Sequence, residues 1–275
     1  MKRLLIAGFG DIARRAAPLL ESRFAVMRLS RREGYDLDRP ETLHLGAFDA
    51  LLHCAPPPPA GDADTRTANL LAALANANLA RIVYISTSGV YGDCAGERVD
   101  ESRAPRPQTS RARRRVDAET QLQSWCSARS TALIVLRAPG IYAADRLPIE
   151  RLRARLPVLR REDDVYTSHI HADDLAAAAA RALTEDAVPG IYNAADDSEV
   201  LMGDWMDIVA DHAGLARPPR APRAEIEWLV PPEVLSFMQE SRRLDNRRLK
   251  TVLGVKLRYP TVQEGLGHEH AVGID

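Results

Sequence analysis

Lysine is almost missing from this chain. Of its 37 basic residues only Lys2, Lys250 and Lys256 are lysines, which excludes any chemistry that needs a lysine in the middle of the chain. Cysteine is scarce as well. Cys54, Cys94 and Cys126 are odd in number and lack C-x-x-C spacing, which argues against a disulfide framework or a zinc site and favours a reducing, cytoplasmic setting. Neither sign of charge dominates: a net charge of −1 gives no whole-molecule field to draw in nucleic acid or an anionic membrane. Aromatic residues make up only 5%, and none interleave with the arginines of 242–250, so that stretch reads as a solvated face rather than a nucleic-acid contact. No apolar run nears the length of a membrane span. Met1-Lys2-Arg3 before Leu4-Leu5-Ile6-Ala7 has the look of an export signal, but the apolar run stops at Gly8 without a small-residue cleavage site, so a first strand is expected. What remains is an ordinary globular composition, 45% hydrophobic and 27% charged over 275 residues, enough for one large domain or two tightly associated ones.

Within that ordinary frame, residues 4–13 (Leu-Leu-Ile-Ala-Gly-Phe-Gly-Asp-Ile-Ala) carry the most information. A short buried strand runs into a G-x-G-x-x-A turn that opens a helix near Asp11. Gly8 permits the tight turn, Gly10 brings no Cβ against a pyrophosphate, and Ala13 lets helix and strand pack closely. Dinucleotide binding at Gly8, Gly10, Asp11, Ile12 and Ala13 is the expectation.

Strand and helix signals then alternate. Strands are expected at 24–30, 50–54, 81–86, 132–137 and 190–195, and helices at 64–78, 110–127 and 173–183. Such alternation predicts βαβ units, hence an α/β, doubly wound parallel-sheet Rossmann domain. Tyr35–Ala47 is short for a full βα unit, so the third strand is expected to be abbreviated. Residues 145–167 and 198–240 are charged and proline-punctuated. We therefore expect a dinucleotide-binding domain of residues 1–145 plus 168–197, and a small substrate lobe of 146–167 plus 198–275. Ala55 and Pro56, which open the four-proline run at the end of a strand, and Pro139 are expected beside the cofactor, because ligands bind at the carboxyl ends of such strands.

The second strand ends Leu29-Ser30-Arg31-Arg32, with Glu33 one step late. An acid there would select NAD through the ribose hydroxyls. Arginine accommodates a 2′-phosphate, with Ser30 adding a hydroxyl. Ser30, Arg31 and Arg32 thus favour NADP(H), with NAD(H) the other possibility.

Further along, Tyr84-Ile85-Ser86-Thr87-Ser88-Gly89-Val90-Tyr91-Gly92 is followed by Leu136-Arg137-Ala138-Pro139-Gly140-Ile141-Tyr142. Ser168-His169-Ile170-His171-Ala172-Asp173-Asp174-Leu175, Ile191-Tyr192-Asn193-Ala194-Ala195-Asp196, the 243–249 arginine segment and Arg258-Tyr259-Pro260 come later. In order and spacing this series resembles the extended short-chain dehydrogenase/reductase superfamily, of the NAD-dependent epimerase/dehydratase type. The G-x-G-x-x-A turn is closest to its atypical members. The resemblance implies a Ser/Thr–Tyr–Lys constellation, in which Tyr exchanges a proton with substrate while Lys holds the nicotinamide ribose. Thr87 matches the Ser/Thr. The register between Pro107 and Glu119, however, puts Arg111 at the Tyr position and Arg115 at the Lys position.

Arginine stays protonated near neutral pH and cannot serve as acid or base there. It can hold an anion or stabilise developing charge. Thr87, Arg111 and Arg115 are the expected catalytic set. Arg115 doubles as a cofactor ligand, or else pairs with Glu119 one turn on. Arg113 and Arg114 are expected in solvent. Proton delivery would fall to water or to Tyr142; Tyr91 borders the same cleft but is expected to pack its ring. His169 and His171 point the same way on a strand, yet Asp173-Asp174 reads as the N-cap and first turn of the next helix, so no metal is expected. His268-Glu269-His270 reads as a flexible tail.

These readings describe an NAD(P)-binding oxidoreductase/epimerase/dehydratase-like protein acting on a small polar or anionic metabolite, as monomer or homodimer, without nucleic acid or membrane partners. The rival is an NADP(H)-binding sensor or scaffold with little turnover.

Overall fold

The computed structural model describes residues 1–269. Its central sheet has six parallel strands: β1 (Lys2–Ala7), β2 (Phe24–Leu29), β3 (Ala50–His53), β4 (Arg81–Thr87), β5 (Ala132–Ala138) and β6 (Gly190–Asn193). Their spatial order is β6-β5-β4-β3-β1-β2. The chain leaves β1 for β2 on one side and resumes at β3 on the other. The loops following β1 and β3 therefore part, and a crevice opens at this switch point.

Helices α1 (Asp11–Leu20), α2 (Thr65–Ala73), α3 (Ser110–Ser127) and α4 (Ala172–Ala182) cover the sheet. Because both faces are covered, β1 is a continuous apolar run rather than an alternating one. Leu4 and Ile6 join the core beneath α1 and α4, rich in alanine, whereas Leu5 and Ala7 join the core beneath α2 and α3 with Leu70 and Leu122. Between β2 and β3 stand only two 3-10 turns, Arg31–Glu33 and Pro40–Thr42, and β3 itself has four residues.

Asp64 caps α2, its carboxylate accepting from the Arg66 and Thr67 N–H groups. At α4 the cap is His171 rather than Asp173, the ring accepting from the Asp173 N–H. Asp174 turns inward instead, accepting from the N–H groups of Arg258 at 2.8 Å and Tyr259 at 2.9 Å. A carboxylate so placed ties the C-terminal segment to the first turn of α4.

Parts of 146–167 and 200–238 pack into a smaller assembly with helices α5 (Met202–His212), α6 (Arg223–Leu229) and α7 (Val262–Glu269), whereas Leu249, Leu253 and Val255 join the core beneath α1 and α4. Short strand pairs join Tyr166–Thr167 to Val200–Leu201, and Val158–Leu159 to Arg220–Ala221. Trp205, Met206 and Val209 pack there with Tyr142 and Val262, and Ile226 and Met238 pack with Leu159. α7 continues through Glu269, so His268 and Glu269 are helical where a flexible tail was expected, and His270 lies outside the described residues. Among the described residues no helix is long and apolar enough to cross a membrane.

Candidate active site

The two glycines of the first turn meet different demands. Gly8 has φ +86°, and a Cβ there would lie 2.4 Å from the Ala55 nitrogen, so the loop after β3 closes directly on it. A Cβ on Gly10 would meet nothing within 4 Å. Gly10 caps α1 without a side-chain hydrogen bond, leaving open space at a helix N-terminus, where backbone N–H groups favour an anion. Ala13 is fully buried and Ile12 partly so, both in the core under this turn. Asp11 faces two arginines. Burial works against its charge, but hydrogen bonds from Arg15 and Arg146 hold its carboxyl below the usual carboxylate range.

Beside this turn lies a cavity of about 220 Å³ lined by Gly8, Gly10, Ser30, Arg31, Asp36, Ala55, Pro56 and Arg66, among others. Arg32 is exposed and does not line it, since the 3-10 turn after β2 carries the two arginines to different sides. Arg66 was invisible to sequence reading because α2 delivers it from far along the chain. Its Nε and Nη2 grip Asp38 at 2.8 and 2.6 Å, while Nη1 donates to the Pro56 and Pro57 carbonyls.

A second cavity of about 390 Å³ lies on the other side of Pro56, which borders both. Thr87, Arg111, Arg115 and Pro139 line it together with Tyr166, Met202, Phe237, Glu240 and Arg242. In-register pairing of Thr87 with Ala138 sets Pro139 beside Thr87. The Thr87 hydroxyl accepts from the Gly89 N–H at 3.2 Å, closing the turn after β4 and leaving the hydroxyl its own proton to donate.

α3 supplies the arginines. Arg115 Nη1 donates to the Tyr84 hydroxyl at 3.0 Å and the Ile85 carbonyl at 2.9 Å. Burial pushes the Tyr84 phenol up to about 12 even against that cation, so Tyr84 stays protonated. Arg115 does not pair with Glu119, which instead binds the buried Arg137 at 2.7 Å and accepts from Ser86 at 2.5 Å. Arg113 is exposed and pairs with Asp62 at 2.9 Å. Arg114 departs from expectation: it is 7% exposed and donates to the Gly61 carbonyl, because the proline-rich loop after β3 folds over that side of α3.

Arg111 stands with its guanidinium carbon 4.7 Å from the centre of the Phe237 ring. Burial lowers its affinity for a proton; Glu240 opposes this, while Arg115, Arg242 and Arg114 add to it.

Neither family-segment tyrosine reaches this cleft. Tyr142 is 1% exposed; its ring packs among His171 and Trp205 and its hydroxyl donates to the Thr261 carbonyl. This corrects its expected place as a proton source, because the core of the smaller assembly encloses it. Tyr91 packs its ring as expected, beneath Arg137, its hydroxyl on Asn193 Oδ1 at 2.8 Å. The tyrosine that does reach the cavity is Tyr166, on a two-residue strand with no sequence signal to single it out. His169 is buried against Trp205, with ring centroids 4.3 Å apart, and burial holds it neutral down to about 3. No cluster that would hold a metal ion occurs among the described residues.

A parallel sheet whose switch point opens onto a glycine turn and a cleft at the ends of β4 and β5 defines a Rossmann-fold protein. Residues 65–195 match the model of the NAD dependent epimerase/dehydratase family. That match agrees with the motifs read from the sequence, Thr87 to Ala195 falling within it. A 3-diazoavenalumate denitrifying reductase from a Streptomyces species is 29% identical over 161 residues, covering 56% of this chain and 52% of that protein; the chain thus spans about half the length of the curated relative it matches. A functionally unknown conserved protein from Silicibacter pomeroyi superposes with TM-score 0.78 at 28% identity, covering 98% of this chain and 99% of that one. RMD from Pseudomonas aeruginosa, solved with NADPH, shares the fold with TM-score 0.74 at 21% identity, covering 97% of each chain.

Proposed function

We propose that this protein is an NAD(P)-dependent oxidoreductase, favouring NADP(H), that reduces a small polar metabolite without a tyrosine acid. The observation that carries the reading is that Pro56 lines both cavities, one holding the glycine turn and the other Thr87 and Arg111.

The residues present suit a dinucleotide. The space kept open by Gly10 at the start of α1 suits a pyrophosphate. Arg31, with Ser30, suits a 2′-phosphate; Asp36 on the same wall would serve the ribose hydroxyls if NAD(H) were preferred. Arg115 is fixed by Tyr84 and Ile85 at the position where the family's lysine meets the ribose, and Pro139 bounds the same end. Arg32 has no part in this site. When bound, the nicotinamide supplies a hydride. Thr87 orients the acceptor oxygen through the proton left free by its contact with Gly89. Arg111 stabilises charge on the substrate but releases no proton near neutral pH. The chemistry best suited to such a site is reduction of an acceptor whose added electron pair is delocalised or leaves with a neutral group, so that electrostatic stabilisation lowers most of the barrier. A relative named for denitrifying reduction of a diazo compound fits this description. Residues 146–167 and 198–275 act as the substrate lobe over the Rossmann domain of 1–145 and 168–197.

Fluorescence titration with NADPH and NADH tests the reading. Selective NADPH binding is expected, and failure to bind either would sink it. The second reading, a binding protein with little turnover, is favoured by Arg111 and Arg115 in place of Tyr and Lys. Turnover regained in the double variant Arg111→Tyr, Arg115→Lys but absent from the wild type would decide for it.

A further inference from the structure

Resting on that reading, we infer that Arg111 is the clamp for a substrate carboxylate, and that the substrate is a flat, largely apolar acid.

Three observations converge. First, Arg111 is exposed on the cleft wall and has no hydrogen-bonding partner among the described residues, whereas the other arginines around it are all engaged. Arg114 donates to Gly61, Arg115 to Tyr84 and Ile85, and Arg242 to Glu240 and Gly92. Second, the cleft is positively unbalanced. Its one carboxylate, Glu240, is already held by Arg242 at 2.7 Å, and burial plus the neighbouring arginines disfavour the Arg111 cation. An incoming anion relieves both. Third, part of the lining is apolar and aromatic. The Phe237 ring centre lies 4.7 Å from the Arg111 guanidinium carbon, and Tyr166, Met202 and the proline run also line the cavity, beside hydroxyls such as Thr87 and Ser168.

A single planar fork matches a carboxylate bidentately. A phosphate, with more charge and more oxygens, would call for several free donors. The apolar walls provide for the body of the acid, since concave sites combine a few placed polar groups with hydrophobic and aromatic lining.

Cinnamate serves as the probe, with cinnamamide as its neutral isostere and phenyl phosphate as the rival anion, each titrated calorimetrically into the full chain with and without NADP⁺. Cinnamate is expected to bind at least tenfold more tightly than cinnamamide. Arg111→Gln should abolish that preference while leaving cinnamamide and NADPH affinities unchanged, and Arg113→Gln, on the same helix but paired with Asp62, should preserve it. Equal binding of acid and amide by the wild type overturns the inference, as does an Arg111→Gln variant that keeps the preference. Tighter binding of phenyl phosphate than of cinnamate replaces the carboxylate and equally overturns it. The NADPH titration separates this from the function proposed above: a protein that binds cofactor but does not discriminate acid from amide loses only the carboxylate clamp. One that discriminates through Arg111 but binds neither dinucleotide loses only the proposed function.

Discussion

At Gly8 the obstacle to a side chain is the protein's own backbone, and at Gly10 it would be only a ligand. The difference separates two substitutions that look alike in sequence. Gly8→Ala drives a Cβ into Ala55 at a positive φ, so urea denaturation should show a loss of about 1–3 kcal/mol or more, with weakened cofactor binding following from the displaced loop. Gly10→Ala meets empty space; its stability should stay within about 1 kcal/mol of wild type while NADPH affinity falls. If Gly10→Ala binds NADPH as tightly as wild type, the pyrophosphate does not sit where we place it. Arg31→Ala should raise the Kd for NADPH at least tenfold, one charge-assisted contact to phosphate being worth about 1.5–3 kcal/mol, and leave NADH nearly unaffected. Equal losses for both cofactors would instead place Arg31 at a shared part of the dinucleotide.

α3 shows what an element demands beyond its own residues. Its sequence, SRARRRVDAETQLQSWCS, is strongly polar, yet Ala112, Arg114, Ala118, Glu119, Leu122 and Cys126 are buried. Glu119 sits beneath it against Arg137 of β5 and Ser86 of β4, linking the helix that carries Arg111 and Arg115 to the strand that ends at Thr87. Removing one member of a buried pair strands the other charge. Glu119→Ala should therefore cost about 3–5 kcal/mol, and the double change Glu119→Leu, Arg137→Met appreciably less, measured by denaturation of both variants. Equal costs would mean that the pair is not coupled. The existence and span of α3 were legible because its length and the β-rich runs on either side leave no other assignment. The inward-facing charges were not legible: charged residues are almost never fully buried unless paired, and the partners lie on other strands. The same blindness sent Arg114 to solvent and Glu119 to Arg115.

Across the whole molecule, two buried imidazoles set a pH dependence. His53, bonded to Thr67 at 2.8 Å, and His169, against Trp205, are both held neutral by burial, down to about 3. Arg115 adds to the effect at His53. In the unfolded chain each takes up a proton near the ordinary histidine value of about 6.5. Below that pH the unfolded state binds more protons, so stability falls as pH drops from about 6.5 toward 3, by roughly 1.4 kcal/mol per unit per imidazole. Asp196, pushed well above its ordinary range by burial, acts in the opposite direction, so the histidine contribution is read as a difference. The stability gap between wild type and His169→Gln should narrow by about 2 kcal/mol between pH 6.5 and pH 5. A gap independent of pH would mean that His169 is protonated in the folded state.

Local patterns alone determined the parallel sheet and its order of elements, because apolar runs of strand length alternating with helical periodicity admit few other packings. They also determined the glycine turn, where backbone geometry restricts the residue types allowed. Only the tertiary structure decided which side chains meet across elements: Arg66 from α2 beside Arg31, Tyr166 rather than Tyr142 at the cleft, and Arg111 over Phe237 with no hydrogen-bonding partner among the described residues. Such meetings depend on loop paths and on which face of a short strand points inward, and no local spacing encodes these. They are settled when the chain closes on itself and every buried charge finds, or lacks, a partner.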